Sequence, residues 1–133
     1  MTQDDLRLLA ILRAFREGGA SEAKARKTLS VSPGRAAGQV AAWSATKTAS
    51  VLDRFERRAC ERVTTPHPGV CERRLLVVAR HLADRDLVAA EAAATWLVPG
   101  ASAPALCRAL SPLAEAILPA APSADRARVA RAS

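Results

Sequence analysis

Aromatic side chains are nearly absent from the chain: 133 residues include two Trp, two Phe and no Tyr. A core with so few rings gains little area per residue, and Ala must supply much of what remains apolar. Of the strand-favouring residues Tyr is absent and Ile and Phe are rare, whereas Ala, Leu, Arg and Glu, all strong helix formers, are abundant. These scarcities exclude a β-rich fold and point to helices packed closely through Ala faces. At this length one core is expected. No apolar run approaches the ~20 residues that span a bilayer. Asp4 and Asp5 precede the first apolar stretch, the wrong order for a secretory leader. The expected location is therefore cytoplasmic.

The three cysteines, Cys60, Cys71 and Cys107, are odd in number and irregularly spaced, so no disulfide framework is expected. Cys60, His67, Cys71 and His81 are metal-ligand types, but their spacing fits no common zinc pattern. The six glycines are scattered and form no phosphate-cradling loop. Neither Cys60 nor Cys71 is accompanied by an oxyanion site or an orienting carboxylate. The expectation is a non-enzyme with no catalytic residues, no cofactor and no metal.

What the chain does have is localised positive charge. Its formal charge is +7. Residues 1–85 carry 16 Lys and Arg against 9 Asp and Glu, whereas residues 86–133 carry 4 of each. The whole excess thus lies in the first two thirds, the footprint expected of phosphate contacts.

Local signals order the elements. Thr2 and Asp5 form a capping-box pattern, and Leu8, Ile11, Leu12 and Phe15 follow as one helical stripe. Gly18-Gly19 ends that helix. Ser21 can cap a second, short helix reaching Leu29. Ser32 reads as the N-cap of a third, with Pro33 in its first turn and an end near Ser50. Ala36, Val40 and Trp43 are assigned to its inner face, and Arg35, Gln39 and Lys47 point away. Val51, Leu52 and Phe55 return to the core. Residues 53–65 form the one plausible hairpin, closed by Pro66 and Pro68-Gly69. A fourth helix is expected over 70–83, and a fifth from an Asp86 cap to Val98. Two short proline-started helices follow at 104–110 and 112–118. Trp43 and Trp96 are read as core. The Ala/Pro/Arg-rich end from Pro119 reads as disordered. Expected divisions are thus 1–83, a helical extension over 84–118, and a disordered tail over 119–133.

Three helices, a short hairpin and another helix give the order of a winged helix-turn-helix. The residues Asp5-Leu6-Arg7-Leu8-Leu9, Phe15-Arg16-Glu17-Gly18-Gly19, Leu29-Ser30-Val31-Ser32, Gln39-Val40 and Leu52-Asp53-Arg54 occur in an order that resembles the DNA-binding domain of LysR-type transcription regulators. Thr65-Pro66 with Gly69, and then Ala79-Arg80, resemble that family's entry into its linker helix. The resemblance covers about residues 5–83, without the family's effector domain. It implies a mainly α, winged helix-turn-helix-like fold with extra C-terminal helices. It also implies a small transcription regulator that binds duplex DNA as a homodimer. Ser32, Arg35 and Gln39 would meet base edges, since Arg and Gln bond guanine and adenine through two contacts each. Arg57, Arg58 and Arg62 would meet phosphate from the wing. Lys24, Arg26 and Lys27 could flank the groove. Leu75, Val78, Ala79 and Leu82 would form the dimer interface along the fourth helix. Two other classes fit the same composition: a non-specific nucleic-acid coat or packaging protein, and a helical adaptor that docks through residues 86–118.

Overall fold

A computed structural model describes residues 1–57, 60 and 67–119. The described residues form six α-helices, α1 (Gln3–Glu17), α2 (Gly19–Val31), α3 (Arg35–Phe55), α4 (Val70–Ala83), α5 (Leu87–Ala94) and α6 (Ala103–Ile117). No strand occurs among the described residues. The mainly helical class is as expected. No helix is long and apolar enough to cross a membrane.

Several boundaries follow the local chemistry. Thr2 Oγ1 accepts from the Asp5 N–H at 3.1 Å, and Asp5 Oδ2 accepts from the Thr2 N–H at 2.9 Å. Gly18 and Gly19, at φ 78° and 57°, make the left-handed corner between α1 and α2 that other residues adopt only at a cost. Asp86 Oδ1 accepts from the Ala89 N–H at 3.1 Å and starts α5. Leu8, Ile11, Leu12 and Phe15 are buried together, as their spacing requires.

The third helix departs from expectation. Ser32 ends α2, its N–H donating to the Thr28 carbonyl at 3.1 Å, and α3 starts from Gly34 instead. The helix then runs five residues past Ser50, so Asp53, Arg54 and Phe55 are its last turn and not the start of a hairpin. Residues 58, 59 and 61–66, the rest of the expected wing, lie outside the described residues. The inner face is also different. Gly38, Ala41, Ala42, Ser44, Ala45, Thr48, Ala49 and Leu52 face inward, whereas Ala36, Val40 and Trp43 are exposed. Small side chains win the interior because they let α3 approach α1, α2 and α6, on all of which it packs. Phe55 and Trp96, both read as core, are exposed as well, each with an arginine over its ring: Arg54 at 5.4 Å and Arg74 at 4.4 Å.

Residues 103–117 form one helix where two were expected, with Pro112 inside it. Proline lacks the N–H of a regular turn and pushes the preceding turn apart. Here the Ser44 hydroxyl of α3 enters the break. It donates to the Ala109 carbonyl and accepts from the Leu113 N–H at 3.0 Å. An α-helix would pair those two groups with each other, so a side chain from 69 residues away completes the ladder.

Residues 84–118 are not an appendage in space. Leu97, Val98, Leu106, Leu110 and Leu113 belong to the same buried cluster as Leu8, Leu29 and Leu52. α6 packs on α1, α3, α4 and α5. The expected disordered tail lies, but for Pro119, outside the described residues. Against expectation, Cys60 and Cys71 are joined in a disulfide, with Cα atoms 5.6 Å apart. The irregular spacing hid this pairing because it depends on where the segment after Glu56 returns to α4. Cys107 is a free thiol, pushed up to about 11 by its burial and by the nearby Glu91 charge.

Candidate nucleic-acid interface

The connection between α2 and α3 is tight. Ser32, Pro33 and Gly34 join α2 to α3, and Gly34 takes φ 129°, a conformation that glycine alone tolerates. At Gly38 the helices touch. A Cβ there would sit 2.2 Å from the Leu29 carbonyl oxygen and 2.7 Å from its carbon, so no side chain fits. From α1, Arg7 donates to the Ser32 carbonyl and holds the turn against the first helix.

Beside this crossing lies a groove of about 530 Å³ between α2 and α3. Arg26 and Ser30 line it from α2, and Arg35, Gln39, Trp43 and Thr46 from α3, over Gly38 and Ala42. Arg26 lies 5.0 Å above the Phe15 ring and reaches Glu22 Oε1 and Thr46 Oγ1, both at 3.3 Å. Arg35, Gln39, Trp43 and Lys47 are all exposed and recur every fourth residue, a ridge along one side of α3. Trp43 is 54% exposed, and Lys47 Nζ stands 6.0 Å from its ring centroid.

The cations divide into two sets. Arg13 and Arg16 of α1 and Arg80 of α4 hold the helices together, whereas Arg73 of α4 is exposed and joins no ion pair among the described residues. Arg13 grips Glu72 with two bonds of 2.6 Å. Arg16 reaches Asp53 at 3.1 Å and Glu56 at 3.0 Å. Arg80 pairs with Asp5, whose carboxylate is only 3% exposed. Burial pushes the Asp5 carboxyl up, but the Thr2 N–H and then Arg80 outweigh it and hold it below its ordinary value. Glu72 is likewise lowered: burial opposes, and the Arg13 guanidinium and Gly69 N–H prevail. The second set, Lys24, Lys27, Arg35 and Lys47, is exposed on α2 and α3 with no acidic partner among the described residues.

The N-terminus of α3 reinforces this second set. It has no side-chain cap and no acidic residue in its first turn, whereas α1, α2 and α4 each carry one or more. Arg35 thus sits at the positive end of the helix dipole, an arrangement that costs roughly 0.3–1 kcal/mol unless an anion is present.

The remaining expected contacts are placed otherwise. The Ser32 side chain is exposed in the turn rather than in a recognition helix, while Arg35 and Gln39 share the groove. Arg57 is tied to the turn after α5: its N–H donates to the Leu97 carbonyl at 2.9 Å and its Nε to the Thr95 carbonyl at 3.0 Å. It is therefore anchored to the protein and is no free wing cation. Arg58 and Arg62 lie outside the described residues. Leu75, Val78, Ala79 and Leu82 are at most 6% exposed and belong to the protomer's own core. They are not available as a dimer surface, because α5 and α6 cover that side of α4. The sequence reading missed Trp43, which its helical spacing had assigned to the core. Among the described residues no group of three or more His, Cys, Asp or Glu could hold a metal. Compared with protein-family models, curated proteins and solved structures, the chain matches none.

Proposed function

We propose that the chain is a nucleic-acid-binding protein that contacts phosphates through the outer face of α2, its turn and α3. One observation carries this reading: Lys24, Lys27, Arg35 and Lys47 are exposed on α2 and α3 with no acidic partner among the described residues, while Arg13, Arg16 and Arg80 of α1 and α4 are spent on ion pairs. Unpaired cations repel one another in the free protein and release counterions on meeting a polyanion. The uncapped start of α3 beside Arg35 adds to the same field. A small transcription regulator is the form that the family resemblance gives this proposal, with Arg35 and Gln39 at base edges.

The test is a binding titration with labelled DNA over a salt series. Four phosphate contacts should give log K against log salt a slope of about −3 to −4. Exchanging Lys24, Lys27, Arg35 and Lys47 for Gln should flatten that slope, whereas Arg108→Gln on α6 should leave it unchanged. A slope near zero in the unaltered protein sinks the proposal. A regulator also requires that Arg35→Ala change the preference among sequences, and not the affinity alone.

A further inference from the structure

Trp43 lies outside the buried cluster of the fold, and phosphate contacts do not employ it. It stands half-exposed in the middle of the α3 ridge, with Gln39 one turn before it and Lys47 one turn after. Each such step is about 6 Å along the helix axis. We infer that the α2–α3 groove takes an unpaired nucleotide, with the Trp43 indole stacked on its base. The inference rests on the phosphate-binding reading and names its substrate class as single-stranded nucleic acid.

The argument turns on what an indole can recognise. A helix in the major groove of a duplex meets the edges of bases, because their faces are covered by neighbouring pairs. Indole has one N–H donor and no acceptor, so it reads edges poorly. Inserted into a duplex groove, Trp43 would leave its faces against water. An unpaired base offers a flat apolar face, and stacking on it is tolerant of sequence. The surroundings supply what such a ligand needs. Gly38 and Ala42 keep the groove beside the ring deep, and no larger residue fits at Gly38. Gln39 presents a donor and an acceptor to a base edge. Arg35 and Lys47 stand on either side for the flanking phosphates. An apolar protein partner would also cover Trp43 and the exposed Val40 and Val31, but it would bury the unpaired cations without compensation.

The experiment uses the Trp96→Phe protein, in which Trp43 is the one remaining tryptophan. Oligothymidylate should quench its fluorescence, and a duplex of equal length should not. In the otherwise unaltered chain, Trp43→Ala should weaken oligothymidylate binding about tenfold, and Trp43→Phe should restore most of it. Circular dichroism should show both variants folded, since the side chain is exposed. If the duplex binds as well as the single strand, quenching is absent and Trp43→Ala is silent, the stacking inference is overturned and the phosphate reading stands. If neither form binds at low salt, both fall, and the ridge serves a protein partner.

Discussion

The two faces of α3 are made to opposite rules. The inner face is Gly, Ala, Ser and Thr until it reaches Leu52, and its work is to let three neighbouring helices come close. The outer face carries Arg35, Gln39, Val40, Trp43 and Lys47, longer and mostly exposed. Judged by hydropathy, Val40 and Trp43 belong inside. Judged by the space between helices, they cannot be there. Close packing selects for small volume, and large apolar groups left on the far side are then free to serve as contacts.

Substitutions can break this contrast, and the largest loss is expected at Gly38. Gly38→Val places a branched side chain where even a Cβ would lie 2.2 Å from the Leu29 carbonyl oxygen. That oxygen is backbone, so no rotamer change relieves the clash and the α2–α3 crossing must open. A loss of about 3 kcal/mol or more is expected, read as a lower denaturant midpoint with an unchanged slope. An unchanged midpoint would show that the helices do not cross there.

Ser44 comes next. Ser44→Ala removes the hydroxyl that joins the Ala109 carbonyl to the Leu113 N–H. Both groups are buried, and each unsatisfied one costs about 1–3 kcal/mol. Pro112→Ala in the same background should restore much of the loss, because the regular ladder can then close. Without that recovery, Ser44 is a packing residue only.

How much of this was open to sequence reading depends on the range of each cause. The cap at Thr2, the glycine corner at Gly18-Gly19 and the cap at Asp86 act over three or four residues, and their helices began or ended where expected. The stripe from Leu8 to Phe15 was equally plain. The continuity of α6 was hidden because its repair comes from Ser44 on another helix. The face of α3 was misread because Ala contributes weakly to any hydrophobic pattern, whereas Trp and Val weigh heavily. Of the candidate site, Arg35 and Gln39 were legible as polar residues on an amphipathic helix. Trp43 was not, since nothing local distinguishes an exposed tryptophan from a buried one.

A smaller effect sharpens the contrast between the two sets of cations. Asp5 and Glu72, the partners of Arg80 and Arg13, are held below their ordinary carboxylate values. A lowered carboxyl pKa stabilises the fold at pH above the unfolded value, and that contribution is lost as pH falls through the folded one. Stability should therefore be flat above the ordinary carboxylate range and decline as pH falls through and below it, where these two groups take up protons. Asp5→Asn together with Glu72→Gln should flatten the decline while lowering stability at neutral pH. An undiminished decline in the double variant would place the acid sensitivity elsewhere.

The smallest expected change is on the outer face. Val40 and Trp43 are both 54% exposed, so removing them gives up little buried area. Val40→Ser with Trp43→Ser should alter the unfolding free energy by no more than about 1 kcal/mol, the sum of the usual range for two surface positions. Alanine at Trp43 would test the same point less cleanly, because its higher helix propensity adds a gain of its own. Serine stands close to tryptophan and valine in helix propensity, so the double variant adds little propensity change of its own. A loss of 2 kcal/mol or more, on the scale of a vacated core site, would mean that the two side chains are buried in the folded protein and that α3 is turned about its axis. The groove would then lose its aromatic edge, and Arg35 and Gln39 would no longer share a ridge with it. Stability held within the expected range leaves both side chains available for a ligand.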